Sequence, residues 1–112
     1  MHILTINLSD KLEKQLSTLL KSSFSHTKTM ADAARLIKTD EFNFIIKMMD
    51  ADNLNYDSVT ILLGLTAIST KILLIGNSVD SASIVTWQEF GIDFLLDPSA
   101  CEIAQKIRTN EY

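Results

Sequence analysis

The chain has 112 residues, a hydrophobic fraction of 46%, a formal net charge of −4 and a single cysteine. That length suits one domain, 1–112, and that apolar content supports a packed core and argues against disorder. With three glycines and one proline, a turn-rich all-β architecture is disfavoured.

The longest apolar candidate, Val59 to Ile68, falls well short of the roughly 20 residues of a membrane span. The N-terminus lacks the basic-then-apolar layout of a secretory leader. Cys101 has no partner for an intrachain disulfide. A cytoplasmic protein without membrane contact is expected. Lysines and arginines are scattered from Lys11 to Arg108 and form no basic stripe. Phosphate neutralisation supplies most non-specific nucleic-acid affinity, so direct nucleic-acid binding by this chain is not expected.

In chain order, Ile3 to Ile6 reads as a strand. Asp10 and Glu13 stand in capping-box spacing before a helix whose apolar face carries Leu12, Leu16, Leu19 and Leu20. That helix fades near Ser22 and Ser23. Phe24 to Thr29 predicts a partly exposed second strand. Thr29 or Met30 opens a second helix with Ala33, Leu36 and Ile37 on its apolar side. Asn43 to Met49 is a third strand, its Phe44-Ile45-Ile46 run suited to burial on both faces.

A polar loop, Asp50 to Asn55, leads to a helix from about Ser58 to Ile68. Its threonines and valine lower local propensity, so packing must hold it. Ile72 to Ile75 is a fourth strand. Asp80 caps a fourth helix that ends at Phe90, with Gly91 as its stop. Ile92 to Leu96 is the fifth strand, broken by Asp97-Pro98. Ser99 and Glu102 form a second capping box ahead of a last helix carrying Ile103, Ala104 and Ile107.

Five strand–helix repeats imply an α/β fold, a parallel sheet covered by helices on both sides. Ligands of such sheets bind beyond the carboxyl ends of the strands, here at Asn7-Leu8, Met48-Met49-Asp50, Gly76-Asn77 and Asp97. No G-x-G-x-x-G or P-loop is present, which removes the usual support for nucleotide binding.

This order of elements resembles the bacterial response-regulator receiver domain, a flavodoxin-like three-layer sandwich of five parallel strands and five helices. Gly91 to Pro98 is similar to the receivers' glycine, acidic, aromatic, apolar, lysine-proline signature, one residue shorter. Glu102 to Arg108 resembles their closing helix, especially in the winged-helix transcription-regulator class. The resemblance implies a phosphorylation pocket, and every pocket position departs from it. Asn7 and Leu8 replace the acidic pair that holds Mg²⁺, and Met48 replaces the phosphoacceptor aspartate. Gly76 replaces the serine or threonine that senses the phosphoryl group, and Asp97 replaces the lysine. A slip in alignment to Asp50 would still lack the metal and the lysine. A pseudo-receiver is therefore expected: not an enzyme, with no catalytic residue, cofactor or metal.

Asp10, Asp50, Asp52 and Asp97 read as solvated loop and cap carboxylates rather than a metal cluster. His2 and His26 have no partner motif and read as surface or edge-strand residues. Cys101 reads as an inert small residue, and Met48-Met49 as core filler. The function expected is signal transduction or transcription regulation through protein–protein contact and homodimerisation. The chain would then be the N-terminal domain of a longer regulator with an attached DNA-binding domain. The candidate dimer surface is Trp87, Glu89, Asp93, Asp97, Lys106 and Arg108, with Trp87, if exposed, as its apolar anchor. The competing expectation is a small-ligand sensor in which Leu8, Met48 and Gly76 shape an apolar pocket.

Overall fold

Strand β1 (His2–Ile6) lies between β2 (Ser23–Thr27) and β3 (Phe44–Met48), followed by β4 (Lys71–Gly76) and β5 (Ile92–Leu96). All neighbours pair in parallel, so the sheet order is β2-β1-β3-β4-β5. Helices α1 (Asp10–Leu19), α2 (Met30–Thr39), α3 (Tyr56–Leu65), α4 (Ser81–Glu89) and α5 (Ala100–Thr109) supply the crossovers. The structure is a computed structural model describing residues 1–49, 56–66, 69–77 and 81–109, with the backbone alone at 56–60 and 81–83. No helix among these residues is long and apolar enough to cross a membrane.

Alternation along each strand splits the core into two layers. Ile3, Leu8, Phe44, Ile46, Leu73 and Ile75 pack under α1 and α5 against Leu16, Ile103, Ala104 and Ile107. On the opposite face Leu4, Ile6, Ile45, Leu74 and Ile92 pack with Ala33, Leu62 and Trp87 from α2, α3 and α4. Apart from Lys47 and Lys71, the strands β3 and β4 are apolar on both faces, whereas β2 takes an edge position that its Ser, His and Thr content suits.

Several local expectations are corrected. The N-cap of α1 is Ser9, whose hydroxyl accepts from the Leu12 N–H at 3.2 Å, and Asp10 is the first helical residue. There it sits where the helix dipole favours a carboxylate. The third helix begins at Tyr56, earlier than Ser58, and ends at Leu65. The fourth ends at Glu89; Gly91 then turns the chain at φ 78°, a conformation that favours glycine. The capping box of α5 forms as expected, with Glu102 N–H donating to Ser99 Oγ at 3.2 Å and Ser99 N–H to Glu102 Oε1 at 3.4 Å. Asp80 and the 50–55 loop lie outside the described residues.

Candidate functional site

Parallel pairing brings Asn7, Leu8, Met48, Gly76 and Asp97 to one end of the sheet, at or just past the ends of β1, β3, β4 and β5. Their environments differ from one to the next. Asn7 and Asp97 are exposed and adopt positive φ, 62° and 45°, a region that Asn and Asp tolerate better than most residues. Each turns the chain sharply while its N–H extends the ladder. Asn7 donates to the Thr27 carbonyl at 2.8 Å and Asp97 to the Gly76 carbonyl at 2.6 Å. Met49 adds a third such bond, to the Ile75 carbonyl at 2.7 Å.

Leu8 is 1% exposed and belongs to the layer beneath α1 and α5, against which Met48 also packs. Gly76 is pressed from the neighbouring strand: a Cβ there would meet the Met49 carbonyl oxygen at 3.2 Å. Leu8 and Gly76 are thus both packed against their neighbours. Asp50 and Asp52 lie outside the described residues. Among the described residues, no three His, Cys, Asp or Glu side chains are grouped to hold a metal ion.

The candidate dimer surface needs its anchor revised. Trp87 is buried, packed in the α2–α4 layer with its ring 6.1 Å from that of Phe94. Its place facing the sheet leaves the flanking Val85 and Phe90 outside, 57% and 64% exposed. Leu96, at the end of β5, is 62% exposed. Glu89 and Asp97 face solvent. Lys106 pairs with Asp93 of its own chain at 3.6 Å, and Arg108 Nη2 donates to the Leu19 carbonyl at 2.6 Å, fastening α5 to α1.

A polar cluster at the β1–β2–α1 corner went unrecognised in the sequence. The buried polar residues among those described are Thr5, Glu13 and Thr27, and all three lie there. Glu13 projects from the core side of α1, its side chain only 11% exposed. Its Oε2 lies 3.3 Å from His26 Nδ1 and 3.5 Å from the Thr5 hydroxyl, which shares a 2.6 Å hydrogen bond with the same imidazole nitrogen. With His26 protonated on Nδ1, donation runs from imidazole to threonine to carboxylate without conflict. The signal available was Glu13 three residues before Leu16 and seven before Leu20, a core-facing position.

Lys28 closes the cluster from the turn after β2. Its ammonium donates to the Leu8 carbonyl, to Asp10 Oδ1 at 3.3 Å and to Glu13 Oε1 at 3.4 Å. Desolvation pulls its pKa down. The hydrogen bonds to Asp10 and Glu13, and their charges, outweigh that effect and raise it above the ordinary lysine value. An open cleft of about 530 Å³, lined by Asp10, Glu13, Lys14 and His26 among others, lies over this corner.

This sheet order and helix arrangement are those of the receiver domains. A CheY-like response regulator receiver from Methanospirillum hungatei JF-1 is similar with a TM-score of 0.76 and 13% identity, over 97% of this chain and 91% of that one. The pilus assembly protein CpaE2 from Sinorhizobium meliloti 1021, described there as putative, is similar with a TM-score of 0.75 and 16% identity, over 96% and 98%. The pilus assembly protein CpaE from Caulobacter crescentus CB15 is similar with a TM-score of 0.75 and 9% identity, over 97% and 98%. At these identities the likeness establishes the fold. No protein-family model and no curated protein sequence matches the chain.

Receivers that are phosphorylated hold Mg²⁺ beside the end of the first strand, where the two aligned positions here, Asn7 and Leu8, supply no carboxylate. The aligned positions offer an exposed amide and a buried leucine, and the adjacent Leu8 carbonyl is taken by an ammonium group.

Proposed function

We propose that this chain is a phosphorylation-independent pseudo-receiver that acts in signal transduction or transcription regulation through protein–protein contact. The observation that carries the reading is the placement of Leu8 in the core at the end of β1. A side chain committed to packing leaves no room for the second metal-binding carboxylate, and phosphoryl transfer from small donors depends on such charge neutralisation. Acetyl phosphate with Mg²⁺ should leave the intact mass of the protein unchanged. A stoichiometric phosphoryl adduct would overturn the reading.

In this proposal the working state is a homodimer that forms without a phosphodonor, through the face made by α4, β5 and α5. Val85 on α4 and Leu96 at the end of β5 provide exposed apolar side chains there. Two-fold pairing would also set Glu89 and Asp97 against bases that already have partners within their own chain. Association then depends more on apolar contact than on crossed ion pairs. Light scattering at micromolar concentration is expected to give the dimer mass; a monomer would remove constitutive pairing. An attached DNA-binding domain would supply the nucleic-acid contact that a chain of net charge −4 does not favour.

A second reading is supported by the nearly full-length likeness to two pilus assembly proteins. Here the module would be the receiver-like part of an assembly factor, with the same need for protein contact and none for DNA. Co-purification separates the two: recovery of pilus components with the chain favours assembly, and recovery of DNA with the longer protein favours transcription.

A further inference from the structure

Three oxygens converge at the mouth of the β1–α1 connection: the Leu8 carbonyl, Asp10 Oδ1 and Glu13 Oε1. Two belong to carboxylates and one to a main-chain carbonyl, an oxygen set of the kind that hard cations take. Asp10 is largely exposed, but Glu13 is nearly buried and cannot be left without a counter-charge at low cost. The group at their meeting point is the Lys28 ammonium, a compact charge on a flexible stem. Its side chain is half exposed, so it reaches the site from the solvent side and closes it.

We propose that Lys28 is the resident cation of this module, an internal ammonium ion that fills an oxygen site beside the end of β1 and makes a divalent ion unnecessary there. The geometry gives the ammonium three simultaneous tasks. It neutralises Glu13, holds the N-terminus of α1 through Asp10, and binds the Leu8 carbonyl within the β1–α1 connection. A divalent ion in a metal-dependent receiver must be recruited and can be lost, whereas a side chain is always present. The β1–α1 connection is thereby held in one arrangement without a divalent ion. The proposal goes beyond the absence of phosphorylation and rests on that reading only for its biological consequence.

Thermal melting of the full chain, with and without Mg²⁺ or Ca²⁺ at matched ionic strength, tests this. Wild type is expected to show no shift with either ion, because the site is filled. Lys28→Met keeps most of the stem and removes the charge; it should melt several degrees lower and recover part of that loss when the divalent ion is added, by mass action on the folded state. Lys28→Arg, which retains the charge, should stay insensitive to the ions. Lys11→Met, on the exposed side of α1, should resemble wild type throughout. A wild type stabilised by Mg²⁺ or Ca²⁺ would overturn the proposal, as would a Lys28→Met variant as stable as wild type. A variant that melts lower without responding to either ion would reduce Lys28 to an ordinary ion pair and also overturn it. None of these outcomes decides whether acetyl phosphate modifies the protein, so the two readings fail separately.

Discussion

Gly76 and Met49 approach so closely across β3 and β4 that a Cβ on Gly76 would come within 3.2 Å of the Met49 carbonyl oxygen. The oxygen is main chain, one residue past the end of β3, and cannot rotate away as a side-chain tip would. Gly76→Ala is therefore expected to destabilise the fold by about 1–3 kcal/mol, as overpacking does, and Gly76→Thr by more. Urea unfolding of both variants measures this. Equal stability of Gly76→Thr and wild type would mean that the glycine only replaces a lost hydroxyl sensor.

Restoring the acidic pair should have opposite consequences at its two positions. Asn7 is exposed at a positive φ that Asp also tolerates, so Asn7→Asp is expected to change stability by no more than about 0.5 kcal/mol. Leu8→Asp removes a fully packed side chain and leaves a carboxyl group in its place. Its cost should reach at least the ~2–5 kcal/mol of a Leu→Ala truncation. Comparing both single variants by chemical denaturation tests the asymmetry.

Alkaline pH should selectively weaken the β1–α1 corner. The folded-state pKa of Lys28 is raised above the ordinary value of 10.5, so folding favours its protonated form. The resulting stabilisation is fully present below pH 10.5 and is lost as pH rises through the higher folded-state value. The stability difference between wild type and Lys28→Met should therefore be constant near neutrality and shrink above that point. A difference that grows with alkalinity would contradict the sign.

Trp87 and Leu96 should respond differently to truncation. Trp87→Ala opens a cavity in the α2–α4 layer and is expected to lower stability by about 3–5 kcal/mol. Leu96→Ser alters an exposed side chain, so stability should stay within about 0.5 kcal/mol, while light scattering should show weaker self-association. Loss of association only in the unfolding-prone Trp87 variant would move the interface away from β5.

The alternation of apolar runs and amphipathic stretches was enough to read five strands, five helices and their parallel arrangement, because each period reflects which face meets the core. The β5 limits and the Ser99–Glu102 capping box were legible for a similarly local reason: the residues that make them are adjacent in sequence. The cap of α1 was misread because Ser9 and Asp10 are both competent caps, and only the turn out of β1 decides between them. Trp87 could not be placed from spacing alone, since Trp87 and Phe90 lie three apart and either can face the sheet. The Glu13–His26–Lys28 cluster joins residues 13 to 15 positions apart, and its pairing depends on the β1–β2 register that sets Thr5 opposite His26.

The placement of the buried carboxylate makes the two sides of the sheet mechanically unlike. Apolar contact has no preferred direction, so the packing of Ala33 and Trp87 against the sheet does not by itself fix the azimuth of α2 or α4. Hydrogen bonds and ion pairs at Glu13, by contrast, fix the azimuth of α1 about its own axis, and Arg108 ties α5 to that same helix. The α1–α5 side thus behaves as a rigid chassis. A partner that moved α2 or α4 would leave the directional bonds of this corner intact.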